Sequence, residues 1–202
     1  DHVGDIVCAG SIDPYIVYCW SIQTGNLVDK VVGHEGPISH LQFSPLGNLL
    51  ASSSWDKTVR ISDLYSKDQK KDIFDHNSEV TVVAFRPDGK ELCTSTLKGE
   101  LYLWDVEAGQ TRGLIDCRKD ILGGRGEHDL RTAKNSTSNK HFNTIAYSSD
   151  GDYLLAGGNS KYVCLYYLRQ RVLLKRYILT NNRALDAMFD KLSTKNIKGG
   201  VN

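Results

Sequence analysis

Three stretches of the chain share one alternation of apolar and polar positions, and each runs into the same kind of turn. They are PISHLQFSPLG (37–47), VTVVAFRPDG (80–89) and FNTIAYSSDG (142–151). Side chains on a strand point alternately to opposite faces, so such an alternation followed by Pro, Asp and Gly predicts a strand entering a tight turn. The turn glycines Gly47, Gly89 and Gly151 are 42 and 62 residues apart. A second landmark repeats the spacing: Trp20, Ser62, Trp104 and Tyr166 lie in apolar strands at intervals of 42, 42 and 62 residues. The period is therefore 42, with about 20 additional residues between Asp105 and Phe142.

Within one period the pattern predicts four short strands, at about 38–43, 48–54, 58–63 and 70–74. They are rich in Val, Ile, Leu, Tyr and Thr and carry no helical periodicity. The inner ones approach continuous apolar runs, as expected of strands covered on both faces. A period of about 40–45 residues with strand–turn–strand patterning is the range of β-propeller blades. The fold class expected is all-β, a propeller segment of about four blades over residues 1–182, with an insertion at about 111–140. After it, Asn181 or Asn182 caps a short helix at about 183–192. Leu185, Met188, Phe189 and Leu192 form one apolar stripe on it, and a tail follows to residue 202.

Motifs then narrow the family. Gly33-His34 opens one repeat and Trp104-Asp105 closes another, so the chain resembles the WD-repeat propellers. It departs from their pattern at Asp75-His76, at Ser138, and at Ser62 and Tyr166, which stand where a Trp is usual. Seven segments resemble one branch of that family, periodic tryptophan protein 2. They are GHEGPIS (33–39), SSSWDKTVRI (52–61), FRPDGKEL (85–92), STLKGEL (95–101), DCRKDI (116–121), TAKNS (132–136) and LLAGGNSKYVCLY (154–166). DCRKDI and TAKNS lie in the insertion, which generic WD repeats lack.

That resemblance implies a long chain with two propellers, this segment lying in the second, which supplies the remaining blades. It implies a non-catalytic scaffold in the nucleolus: a subunit of the small-subunit processome, acting in pre-18S rRNA processing with the U3 small nucleolar RNA. The implied partners are other processome subunits, the U3 RNA and pre-rRNA. A generic WD adaptor for ubiquitin ligases or signalling is the alternative.

Composition changes this picture little. The chain of 202 residues is 40% apolar and 24% charged, ordinary for a globular protein, and has no apolar run of membrane-spanning length. It begins at Asp1 and its single methionine is Met188, which predicts a fragment or a processed chain. The net charge of +1 conceals a division: residues 1–110 hold nine Lys and Arg against sixteen Asp and Glu, whereas residues 161–202 hold nine against two. The later half is the better suited to nucleic acid. Five cysteines, none spaced C-x-x-C, and six scattered histidines offer no metal-ligand spacing, and the cysteines fit a reducing compartment. No cofactor, small-molecule substrate or membrane is expected.

Two sets of residues invite chemistry. His34, Asp56 and the serines 52–54 have the residue types of a nucleophilic triad. In the repeat frame, His34 and Asp56 instead belong, with Trp104 and Asp105, to the hydrogen-bonding network that satisfies buried polar groups in a blade. The second set is the basic insertion, with Arg118, Lys119, Arg125, Arg131 and Lys134. Its Gly123-Gly124-Arg125-Gly126 lacks the order of a phosphate loop. These residues are expected to contact RNA phosphates or a protein partner.

Overall fold

The structure, a computed structural model, describes residues 3–65, 71–121 and 140–179. Within them fifteen strands form four antiparallel sheets, each a simple meander. Blade 1 contains β1 (Ile6–Gly10), β2 (Ile16–Ser21) and β3 (Leu27–Val32). Blade 2 contains β4 (Ile38–Phe43), β5 (Leu49–Ser54), β6 (Thr58–Asp63) and β7 (Lys71–Asp75). Blade 3 contains β8 (Val80–Phe85), β9 (Glu91–Thr96), β10 (Glu100–Asp105) and β11 (Gln110–Asp116). Blade 4 contains β12 (Phe142–Tyr147), β13 (Tyr153–Gly158), β14 (Tyr162–Tyr167) and β15 (Val172–Ile178). A four-residue helix, α1 (Arg118–Ile121), follows blade 3.

This is the all-β architecture that the 42-residue period predicts, and the strands of blade 2 lie within about one residue of their expected bounds. The insertion is shorter than expected at its start. Its first residues complete blade 3 as β11, which pairs with β10 from Glu100↔Asp116 to Asp105↔Gln110. The extra residues thus begin after Asp116. The expected helix at about 183–192 lies outside the described residues, as does the tail.

The blades are joined by more than apolar packing. Pairing between first and second strands slips between Ile38 and His40, between Val80 and Val82, and between Phe142 and Thr144. Each slip leaves one residue bulged, and Ser39, Thr81 and Asn143 occupy the same place in the repeat. The Ser39 hydroxyl donates to the Val80 carbonyl of blade 3 at 2.8 Å, and the Thr81 hydroxyl donates to the Phe142 carbonyl of blade 4 at 2.8 Å. Each hydroxyl also faces its own sheet, Ser39 Oγ lying 2.9 Å from Ser53 Oγ and Thr81 Oγ1 lying 3.1 Å from the Ser95 carbonyl oxygen, so it ties its blade to the next.

Between these seams lie two cores. Val59, Ile61 and Phe74 of blade 2 pack on Val83, Leu92 and Trp104 of blade 3. Val82, Cys93 and Leu103 of blade 3 pack on Ile145, Leu154 and Tyr166 of blade 4. Blade 3 is therefore covered on both faces, and every residue of β9 is buried. The turns between first and second strands, and between third and fourth, lie at one end of each blade. The turns between second and third strands, and the blade-to-blade connections, lie at the other.

Candidate functional site

His34 enters blade 2 from the connection end. Its Nδ1 lies 2.8 Å from Asp56 Oδ2 and its Nε2 lies 2.8 Å from Ser52 Oγ. Asp56 is fixed in turn by the Glu35 amide at 3.0 Å, and by the Thr58 amide and hydroxyl at 2.8 and 2.7 Å. Burial pushes the His34 imidazole below its ordinary pKa, against the pull of Asp56. For Asp56 burial pushes upward, but hydrogen bonds from Thr58, the Glu35 amide and His34 outweigh it and hold the carboxyl below the usual range. The pair is thus neutral imidazole with carboxylate. His34 donates its Nδ1 proton to Asp56 and receives the Ser52 hydroxyl on Nε2.

Ser52, His34 and Asp56 have the connectivity of a catalytic triad but not its access. Ser52 is 2% exposed and sits within β5, so no acyl group can reach its oxygen. A nucleophile must touch substrate before a base can activate it. The network instead satisfies polar groups enclosed by the blade.

Blade 3 holds the complementary half of the same device. His76 Nε2 accepts from the Thr94 hydroxyl at 2.7 Å and from Trp104 Nε1 at 3.2 Å. His76, Thr94 and Trp104 stand 42 residues beyond His34, Ser52 and Ser62. At the position matching Asp56 the chain has Lys98, and the His76 Nδ1 proton goes to the Phe74 carbonyl at 3.0 Å. Burial pushes His76 down to about 4. Trp104 is buried and stacks on Phe74, with centroids 4.7 Å apart and planes 8° from parallel. Blade 2 has the acid and lacks the indole; blade 3 has the indole and lacks the acid. In blade 2 the Ser62 hydroxyl is buried, with no hydrogen-bond partner among the described residues.

Blade 4 departs further. Ala156 and Ser160 occupy the Ser/Thr and Asp positions, and Ser138, at the His position, lies outside the described residues. Tyr166 replaces the indole and donates its hydroxyl to Asp120 Oδ2 at 3.0 Å. Asp120 belongs to α1, whose neighbours Cys117 and Ile121 are buried against blades 3 and 4. Arg176 closes the other side, donating to the Asp120 carbonyl at 3.3 Å and lying 4.6 Å over the Tyr162 ring. The DCRKDI segment is thus built into the seam through Cys117, Asp120 and Ile121.

The expected network residues therefore fall in three places. His34 and Asp56 bond to each other, and Trp104 bonds to His76 one blade away. Asp105 lies at the turn end, where it takes Arg112 Nη2 at 2.7 Å and Nε at 3.0 Å, and the Ala108 amide at 3.0 Å. Among the basic candidates, Arg118 forks onto Asp116 at 2.6 and 2.8 Å, so its charge is answered within the chain. Lys119 is exposed. Arg125, Arg131 and Lys134 lie outside the described residues. Sequence reasoning missed Thr94, which the 42-residue offset from Ser52 would have found. It also missed the opposition of Cys8 and Cys19 across β1 and β2, with sulfurs 2.9 Å apart, which only strand register reveals.

Comparison with known proteins agrees with this geometry. The family model described as "WD domain, G-beta repeat" matches residues 25–63, 68–105 and 131–166. Periodic tryptophan protein 2 of Arabidopsis thaliana is 47% identical over 96% of the chain, and its Schizosaccharomyces pombe homolog is 48% identical over 96%. The Mus musculus homolog is 46% identical over the same share. The chain spans 22%, 23% and 21% of the lengths of these three relatives. With the family matches covering more than half of its residues, the chain belongs to the WD-repeat family and is similar to periodic tryptophan protein 2 along nearly its whole length.

Proposed function

We propose that this chain is a non-catalytic scaffold of ribosome biogenesis, part of a small-subunit processome subunit that acts with the U3 small nucleolar RNA in the nucleolus. The observation that carries the proposal is similarity over 195 residues to proteins named periodic tryptophan protein 2 from plant, fungal and animal sources. At 96% of the chain, that similarity takes in the insertion as well as the blades. The burial of Ser52 supports the scaffold reading, because it denies the Ser52–His34–Asp56 set access to a substrate. Its work is to hold surfaces in fixed relation: blade ends, blade edges and the segment beyond Ile121. The test is affinity purification of the intact protein, read out for co-purifying proteins and RNA. Enrichment of U3 RNA with a defined set of nucleolar proteins is expected. Capture of ubiquitin-ligase or signalling components without that RNA would replace the proposal with the adaptor reading.

A further inference from the structure

Cys8 on β1 and Cys19 on β2 face each other across blade 1, with 2.9 Å between their sulfurs. Strand register fixes this meeting. In an antiparallel pair, hydrogen-bonded and non-hydrogen-bonded pairs of residues alternate. The Ser11 amide donates to the Ile16 carbonyl, and the Ile22 amide donates to the Asp5 carbonyl. Those two pairs lie three residues to either side of the cysteines, so Cys8 and Cys19 form a non-hydrogen-bonded pair. The Cα atoms of such a pair approach to about 4.5 Å, and a disulfide spans Cα separations of about 4.4–6.8 Å. The bond can therefore close without moving either strand. We propose that Cys8 and Cys19 are a reversible oxidation site, at which hydrogen peroxide is reduced to water and a disulfide joins β1 to β2.

The two sulfurs have different roles. Cys8 is half-buried and open to a small oxidant, whereas Cys19 is buried. When Cys8 ionises, the Cys19 S–H beside it donates to the sulfur, and this bond holds the Cys8 thiol below its ordinary pKa. The same bond pushes the Cys19 thiol up, and burial and the Asp29 carboxylate, its register partner on β3, push it further. Cys8 is therefore the nucleophile and Cys19 the resolving thiol. The Cys8 thiolate attacks one peroxide oxygen, the O–O bond breaks, and the departing hydroxide takes up the proton that Cys8 released. Cys8 is left as a sulfenic acid. The Cys19 sulfur then attacks the Cys8 sulfur, the S–O bond breaks, and the hydroxyl leaves with the Cys19 proton as a second water. Two electrons have passed from the sulfurs to the peroxide, and a thiol reductant returns them by exchange through a mixed disulfide.

The other cysteines are differently placed. Cys93, Cys117 and Cys164 are buried, and burial pushes each thiol up. A thiol that is covered and held neutral is inert. The Cys8–Cys19 pair belongs to the core where blade 1 meets blade 2: Cys19 packs with Val17 and Leu50, and Ile38 and Phe43 of β4 lie against the same cluster. A bond there staples β1 to the face that carries blade 2. In a reducing compartment the pair stays open until an oxidant arrives, which is the behaviour of transient, sensing disulfides and not of structural ones.

The test uses the intact protein, reduced, freed of reductant and treated with hydrogen peroxide. Remaining thiols are alkylated, and the unreduced peptides are identified by mass spectrometry. A cross-linked pair of peptides holding Cys8 and Cys19 is expected, and dithiothreitol should release it. The link should form about tenfold or more faster than any modification of Cys93, Cys117 or Cys164. Cys19→Ser, with its fold checked by circular dichroism, should leave Cys8 as a sulfenic acid that dimedone captures, and Cys8→Ser should leave Cys19 unmodified. The oxidised protein should unfold at a higher urea concentration than the reduced one, because an unstrained cross-link restricts the unfolded chain. The proposal is overturned if both cysteines are still alkylated after peroxide, if the link forms only in denatured protein, or if dimedone marks Cys19 instead of Cys8. It is equally overturned if the link lowers the urea midpoint, since the strands would then have to move to make it. None of these outcomes bears on the processome proposal, which the purification decides.

Discussion

The Tyr166 hydroxyl donates to the Asp120 carboxylate at 3.0 Å, joining the third strand of blade 4 to the first turn of the insertion. Tyr166 is fully buried at the position where blade 3 has Trp104. The ring fills the space of the indole, while the hydroxyl reaches past the blade to a residue that the repeat does not contain. Tyr166→Phe keeps the ring and deletes the donor. Hydrogen bonds to charged groups contribute about 1.5–3 kcal/mol, so the variant should lose about that much in denaturant unfolding. Cleavage by protease near 117–121 should also become faster. A loss below a few tenths of a kcal/mol would show that the contact does not hold the insertion.

Trp104 should dominate the core between blades 2 and 3. Trp104→Ala is expected to cost about 3–5 kcal/mol, as deletion of a large buried aromatic does. Trp104→Phe should cost less, since the stack on Phe74 survives and His76 retains Thr94. With Trp20 and Trp55 replaced, the fluorescence of Trp104 should resist acrylamide; quenching at the rate of free indole would contradict its burial.

Acid should loosen blades 2 and 3 through their histidines. His76 has its pKa pushed down to about 4, whereas an unfolded histidine titrates near 6.5. The unfolded state therefore takes up protons first, and stability falls as pH drops from about 6.5 toward 4. His34, lowered by burial, acts in the same direction. Asp56, held below its ordinary value, adds a loss at still lower pH, as the carboxylate that Thr58, Glu35 and His34 stabilise becomes protonated. The urea midpoint measured from pH 7.5 to 4 should decline across this window. His76→Asn should begin lower at pH 7 and decline less steeply; an equal slope would remove His76 from the account.

Ser62 offers the opposite sign. Its hydroxyl is buried without a hydrogen-bond partner among the described residues, so Ser62→Ala removes an uncompensated polar group. The expected change is between zero and about 1 kcal/mol of added stability. A loss greater than 1 kcal/mol would mean that the hydroxyl has a partner.

The basic insertion remains the place where RNA contact is expected under the proposed function. Replacing Arg118, Lys119, Arg125, Arg131 and Lys134 together by Gln should flatten the dependence of RNA affinity on salt by up to about four phosphates' worth. Arg118→Gln alone should change little, because Asp116 already holds that guanidinium. If the slope is unchanged and particular proteins are lost from a pull-down, the insertion contacts protein.

The alternation of side chains and the 42-residue period determined the strands, their bounds in blade 2, the four-blade count and the positions of His34, Asp56 and Trp104 within a blade. These are legible because strand geometry has a fixed period of two, and a repeated unit must repeat its turns. The tertiary structure decided what each of these residues does. The offset alone marks His76, Thr94 and Trp104 as a second copy of His34, Ser52 and Ser62, but not that one copy keeps the acid while the other keeps the indole. Nor does local pattern foretell that Ser39 and Thr81 tie blades together, that Asp120 is spent on Tyr166, or that Arg171 lies over Gly113. Each of those contacts joins residues far apart in the chain, and Arg171 reaches the Arg112 carbonyl from 59 positions away. Such meetings are set by the angle and distance at which one blade lies against the next, and that relation follows from packed volumes across a seam, which no single repeat contains.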